Sequence, residues 1–196
     1  MEQVPDSKMI RTKSRPLPMG RLSRNEALIF GVIISIAGIM ILWLALNTLT
    51  AALGLLTVIS YILIYTPLKQ KTIANTWFGG ITGALPPVMG WTAARGQLDW
   101  EVLPVFALLY FWQLPHFFAI AWMYREDYKK GGFRMLSLVD EAGKRTAKQM
   151  LLNTALLFVA SLAVYLIGQW RLLYLTCAML LWLGFFALIT LFFREM

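Results

Sequence analysis

Two acidic pairs carry the first chemical suggestion in this sequence. Glu2 and Asp6 stand four residues apart, so on a helix end they share one face. Glu126 and Asp127 are adjacent and follow directly on a long apolar run. Arg11, Arg15, Lys69, Lys129 and Lys130 are interleaved with them. These are the parts of a Mg²⁺–phosphate site: carboxylates hold the hard cation through a few oxygens, and substrate phosphate oxygens complete its shell. Arginines and lysines take up the remaining phosphate charge. Glu2, Asp6, Glu126 and Asp127 are the candidate metal ligands. The same charges also fit an unspecialised set of solvated loop residues, and spacing alone leaves both readings open.

His116 is the only histidine, set in Leu114-Pro115-His116-Phe117-Phe118 inside an apolar run. An ionisable residue in such a run is a functional candidate, with a hydrogen-bonded structural role as the alternative. Glu126 and Asp127 are expected about three helical turns further along. Tyr61, Tyr65, Trp77, Trp91, Trp112, Phe117, Phe118 and Trp122 crowd the same part of the chain. Most residues of this kind serve packing or the interfacial belt. In a site they would stabilise a carbocation through their ring faces and keep water from it.

The elements that must position these groups are membrane helices. Apolar residues make up 59% of the 196-residue chain and charged residues 14%, against roughly 45–50% and about 25% in soluble domains. Six runs, Ala27–Asn47, Thr50–Pro67, Thr76–Ala94, Val102–Met123, Lys148–Gly168 and Leu172–Phe193, approach or exceed the length needed to cross the bilayer. Ser23-Arg24-Asn25-Glu26 is a capping box opening the first. Links as short as Asn47-Thr48 and Gly168-Gln169-Trp170-Arg171 force antiparallel neighbours, so the fold expected is an all-α transmembrane bundle. The third run is unusual. Gly79 and Gly83 allow close helix approach, and Pro86-Pro87 must interrupt its backbone ladder, a break tolerated where it is buried or lines a cavity.

With the N-terminus placed inside, sixteen of the eighteen basic residues fall on the cytoplasmic side, leaving Arg95 and Arg171 outside. The net charge of +8 therefore needs no nucleic acid to explain it. Cys177 is the only cysteine, which excludes an internal disulfide framework, and no Cys/His cluster offers a zinc site. Residues 1–26 lack the apolar core of a secretory signal.

Four ordered blocks carry a resemblance. Asp6-Ser-Lys-Met9-Ile-Arg11-Thr12-Lys-Ser-Arg15-Pro16-Leu17 resembles the segment after the first aspartate-rich motif of the UbiA superfamily of intramembrane prenyltransferases. Tyr65-Thr66-Pro67-Leu68-Lys69 with Asn75, Gly83-Ala84-Leu-Pro86-Pro87-Val-Met-Gly90-Trp91, and Pro115-His116-Phe117 with Trp122 and Asp127-Tyr128 resemble its protohaem IX farnesyltransferase branch. The resemblance implies farnesyl transfer from farnesyl diphosphate to a vinyl group of haem b, with water supplying a hydroxyl, to give haem O for terminal oxidases. It implies Mg²⁺ at Glu2, Asp6, Glu126 and Asp127, and diphosphate on Arg11, Arg15 and Lys69. Asp6, Asp127 and Lys69 become the catalytic candidates. Asn75, His116, Trp122 and Tyr128 join the substrate-binding set, His116 toward haem as a ligand or through a propionate. Association with haem A synthase or oxidase assembly follows from the same resemblance.

Residues 1–196 are expected to form one membrane-embedded prenyltransferase domain, with 1–26 and 124–147 as cytoplasmic segments. The bacterial cytoplasmic membrane is the expected location, the mitochondrial inner membrane the alternative. Family members have about nine spanning helices, and their first motif begins with an Asn ahead of the position of Glu2. On that pattern the chain is expected to be N-terminally truncated and, on its own, not to make haem O. The rival readings are a sister prenyltransferase with a quinone-type acceptor, a non-catalytic haem-handling protein, and a small transporter. Haem binding without diphosphate binding would favour the second. No repeat relating 27–94 to 102–193, of the kind transporters use, is visible.

Overall fold

A computed structural model describes residues 2–168 and 172–195. The expected link through Gln169, Trp170 and Arg171 lies outside the described residues. Among those described, every regular element is helical, and five helical stretches are long and apolar enough to cross a membrane.

A short α1 (Gln3–Lys8) starts the chain and leads through turns to α2 (Arg24–Ala45). The capping box forms as expected: the Glu26 N–H donates to the Ser23 hydroxyl at 3.2 Å, and the Ser23 N–H donates to Glu26 Oε2 at 2.8 Å. None of α2 is buried, and it packs chiefly on α3. Asn47 caps α3 (Thr48–Ile59) by accepting the Thr50 N–H at 2.8 Å. Its amide also donates to the Thr92 carbonyl at 2.8 Å, tying this turn to the far end of α6 (Leu85–Arg95).

The second span does not stop at Pro67. It runs from Thr48 to Lys71, passing through a π turn at Ser60–Tyr65 into α4 (Thr66–Lys71). There the Thr66 N–H reaches back five residues to the Tyr61 carbonyl. Pro67 then falls in the first turn of α4, where a missing N–H costs little. The wider turn puts Tyr61 and Tyr65 in ring contact, centroids 5.2 Å apart.

The third run is two helices rather than one, α5 (Asn75–Gly83) and α6. Neither is long enough to cross alone, so the six expected spans resolve into five continuous ones and this broken pair. The physical cause is Pro86-Pro87, which offer no N–H to the last turn of α5 and instead occupy the start of α6. The break is buried and held by a neighbour. Gln113 of α7 (Val102–Met123) donates to the Gly80 carbonyl at 2.8 Å. A Cβ on Gly83 would collide with the Gln113 amide oxygen.

The core lies where α7 meets α5, α10 (Lys144–Gly168) and α11 (Leu172–Glu195), around Leu114, Phe118, Met150 and Ile189. Between α7 and α10 run α8 (Arg125–Lys130) and α9 (Leu136–Val139). Helix α7 ends at Met123 because Tyr124 leaves helical backbone, with φ −107° and ψ 24°. Glu126 and Asp127 therefore sit on a separate short helix, not three turns further along the axis that carries His116.

Candidate functional site

The N-terminal segment, α4 and α8 meet at one end of the bundle, which brings the two acidic clusters to the same end. Docking is driven by a small apolar seam in a charged segment. Pro5, Met9 and Thr12, spaced four and three apart, are the buried residues of this stretch. Met9 packs with Ala121, Phe133 and Met135. Gly131 makes room for it, since a Cβ there would come within 3.1 Å of the Met9 side chain and 2.9 Å of the Phe133 ring.

Asp127 fixes what the seam brings close. The Ile10 N–H donates to its Oδ1 and the Arg11 N–H to its Oδ2, each at 3.1 Å. The Arg11 N–H, with that of Ile10 and the charges of Lys130 and Arg11, holds the carboxyl of Asp127 below the usual carboxylate range, against the opposing effect of burial. Arg11 is thereby placed over the Tyr124 ring, 4.7 Å from its centroid, and donates to the Tyr128 hydroxyl at 3.2 Å. Tyr128 itself stands edge-on to Phe133.

Glu2 and Asp6 are engaged separately. Lys69 reaches Glu2 Oε1 at 2.9 Å and lies 4.5 Å from the Tyr65 ring centroid. Arg15 pairs with Asp6 at 3.4 Å. The Asp6 carbonyl accepts from the buried Thr12 hydroxyl at 2.8 Å, which closes the turn between them. Tyr65 packs so closely on Gly79 that a Cβ there would lie 2.6 Å from its ring.

The remaining candidates are placed elsewhere. Glu126 is exposed, pairs with Arg125 at 3.9 Å and lines a separate groove with Lys129 and Glu141, so it does not share the surroundings of Asp127. Trp122 lies under the Arg125 guanidinium, 5.0 Å from its ring centroid. Lys130 borders Asp127, whereas Lys129 faces the Glu126 groove. Asn75 is buried. Its amide donates to the Thr72 carbonyl at 2.7 Å and the Arg134 carbonyl at 2.6 Å, so both its donor hydrogens tie the α4–α5 junction to the turn after α8. The Arg134 N–H completes the tie by donating to the Lys69 carbonyl at 2.7 Å. His116 is exposed on α7, stacked with Trp112 at 6.3 Å and beside Phe117 at 6.1 Å.

Among the described residues no three His, Cys, Asp or Glu side chains converge as a metal cage. The carboxylates of Glu2, Asp6 and Asp127 are hard oxygen donors of the kind Mg²⁺ takes, but each faces a cation or backbone N–H groups. The donor set thus suits a cation whose shell comes largely from phosphate oxygens, not one held by protein alone.

Sequence reasoning missed Tyr124, Thr12 and Met9. The spacing of Pro5, Met9 and Thr12 carried a usable signal, a helical apolar period inside a basic stretch. Tyr124 carried none, since its part depends on where α7 stops.

Arg11, Arg15 and Lys69 thus gather beside acidic side chains at one end of a bundle of membrane-length helices. The whole chain, residues 1–196, matches the UbiA prenyltransferase family, and it belongs to that family. It is 48% identical over 184 residues to "Protoheme IX farnesyltransferase" of Solibacter usitatus, covering 94% of this chain and 63% of that protein. To the protein of the same name from Koribacter versatilis it is 41% identical over 92% of this chain and 58% of the relative. To "Protoheme IX farnesyltransferase, mitochondrial" of Homo sapiens it is 50% identical over 69% and 31%. The chain thus spans less than two thirds of the length of each of these relatives. No solved structure matches.

Proposed function

We propose that this chain belongs to an enzyme that transfers a farnesyl group from farnesyl diphosphate to a vinyl group of haem b, giving haem O. The observation that carries the reading is the meeting of Arg11, Arg15 and Lys69 with Glu2, Asp6 and Asp127 from three separate chain segments at one end of the bundle. The shared name of the relatives supports the choice of substrates.

In this reading the allylic C–O bond of farnesyl diphosphate breaks, and its electron pair leaves with the diphosphate. The terminal vinyl carbon of haem b bonds to the farnesyl carbon, and water adds to the cation left on the porphyrin side chain, losing a proton. Arg11, Arg15 and Lys69 bind the diphosphate and balance its growing charge. Mg²⁺, when bound with the diphosphate, acts as a Lewis acid on the departing group. Asp6 and Asp127, with Glu2, would provide carboxylate oxygens toward it, while Glu126, turned to a separate groove beside Arg125, stays outside this set. Asp127 and Tyr128 also orient Arg11. Tyr61 and Tyr65 present ring faces next to Lys69, where they shelter positive charge on the farnesyl chain. His116 and Trp122 face the acceptor, and Asn75 steadies the turn that carries Arg134.

The basic end, with both termini, lies on the cytoplasmic side of a bacterial membrane, and haem O passes to haem A synthase or to oxidase assembly. The test is haem extraction from cells whose own enzyme is deleted, expressing the complete polypeptide that carries this chain. Haem O is expected. Lys69→Met should raise the KM for farnesyl diphosphate by about tenfold or more, with a smaller effect on haem. Unchanged farnesyl diphosphate dependence would refute the diphosphate assignment.

A further inference from the structure

A second cavity, of about 560 Å³, opens at the opposite end of the bundle between α6, α7 and α10. Its walls repeat one pattern on three helices. On α6, Arg95 stands one turn beyond Trp91. On α7, Val105 stands one turn inward of Glu101 at its start. On α10, Gly168 ends the helix one turn beyond the buried Val164. Each pair is four residues apart, about 6 Å along a helix. The cavity therefore has a charged rim at the helix ends and an apolar floor one turn closer to the bilayer centre.

The rim holds charges of both signs that are not paired with each other. The Arg95 guanidinium rests 5.0 Å from the Trp91 ring centroid, and that ring is fixed by its N–H donating to Asp99 at 3.2 Å. Among the described residues Arg95 makes no ion pair, and Glu101 has neither an ion pair nor a hydrogen bond through its side chain. Asp99 accepts from Gln97 and Trp91. Outside residues 169–171, Arg95, Asp99 and Glu101 are the charged residues at this end of the bundle, and all three stand at or beside the cavity.

We propose that this cavity binds one aminophospholipid, with its phosphate on Arg95, its ammonium on Glu101 and the start of its acyl chains against Trp91, Val105 and Val164. Charge complementarity selects the occupant. An anionic headgroup without an amine satisfies Arg95 but meets Glu101 with like charge, whereas a zwitterion satisfies both. The apolar floor requires a tail, which a free headgroup lacks. The site lies at the end of the bundle away from Arg11, Lys69 and Asp127 and contributes nothing to diphosphate binding.

Native mass spectrometry of the delipidated full chain, titrated with phosphatidylethanolamine, phosphatidylglycerol or free phosphoethanolamine, tests the assignment. One phosphatidylethanolamine should be retained per chain, about tenfold more tightly than phosphatidylglycerol. Glu101→Gln should abolish that preference and Arg95→Ala should weaken retention of both lipids, each without lowering the melting temperature of the lipid-free protein. Val164→Trp, which fills the floor, should reduce retention of both lipids. Equal retention of the two lipids, binding of phosphoethanolamine as tight as that of the lipid, an unchanged preference in Glu101→Gln, or undiminished retention in Arg95→Ala would overturn the proposal.

Discussion

Replacing Asn75 by leucine tests whether the end of the bundle is held together by one amide. The side chain is almost fully buried and its two donor hydrogens reach the Thr72 and Arg134 carbonyls at 2.7 and 2.6 Å. Leucine keeps approximate volume but leaves both carbonyls without this partner. A buried acceptor left unsatisfied costs about 1–3 kcal/mol. Arg134 is exposed, so water can reach its carbonyl, while Thr72 is half-buried. The Thr72 carbonyl also keeps the residue-75 backbone N–H, at 3.4 Å, so the expected loss is about 2–4 kcal/mol, in the lower half of the range for two such groups. Asn75→Asp sharpens the test, because its carboxylate would face two carbonyl oxygens. That repulsion raises the folded-state pKa of the new aspartate above its unfolded value of about 4. The variant should thus lie closest to wild type in stability below pH 4 and lose ground as pH rises through the raised folded-state value. Thermal unfolding in detergent across this pH range reads both effects. Wild-type stability for Asn75→Leu, or a pH-independent deficit for Asn75→Asp, would refute the idea that the amide ties the α4–α5 junction to the turn after α8.

Other predictions concern the neighbouring contacts. Gly79→Ala should push the Tyr65 ring aside and carry Lys69 with it, lowering the proposed farnesyl transfer of the complete polypeptide by about tenfold or more while membrane insertion persists; normal turnover would show that the Tyr65–Gly79 contact does not position the lysine. Cysteines placed at Ser14 and Gly132 should label from the same side of the membrane, and one at Gly96 from the other; labelling of Ser14 and Gly132 from opposite sides would contradict the docking of the N-terminal segment on α8. The carboxyl of Asp127 is held below its ordinary value, so its hold on Ile10 and Arg11 is fully present above pH 4 and is lost only as pH falls through the lowered value. Protease sensitivity of residues 7–15 should therefore rise at strongly acid pH in the wild type. It should already be high at pH 7 in Asp127→Ala, and protection of that variant equal to wild type would count against the contact.

The helical class, the spans and the break at Pro86-Pro87 were legible because they follow from run length and from backbone groups that proline lacks. The capping box at Ser23 and Glu26 was legible for the same local reason. The separation of Glu126 from Asp127 was not. Adjacent residues on a helix point about 100° apart, and only the position of α7's end at Tyr124 decides which of them meets the N-terminal segment. Asn75 was recognisable as a residue of interest through the family resemblance, yet its partners are carbonyls 3 and 59 residues away, and no local pattern names the second. The count of five continuous spans and one broken pair likewise depended on a tertiary fact, that Gln113 and the faces of Gly80 and Gly83 let the break sit buried.

The π turn at Ser60–Tyr65 makes the residue count of the second span a functional quantity. An α-helix advances about 100° per residue, and the wider turn accommodates one residue more than an α-helical path over the same rise. Removing a single residue there, Ile62 for instance, would let the helix close into regular α geometry and keep Thr48–Ile59 packed where it is. Because the wider turn already holds that extra residue over the same rise, the helix after the deletion would keep its place, with Tyr65 on Gly79 and Lys69 at Glu2. Elsewhere in the span there is no such slack: loss of one residue between Thr66 and Lys69 would rotate Lys69 by about 100° away from Glu2, so the π turn is where this span can absorb a change of length.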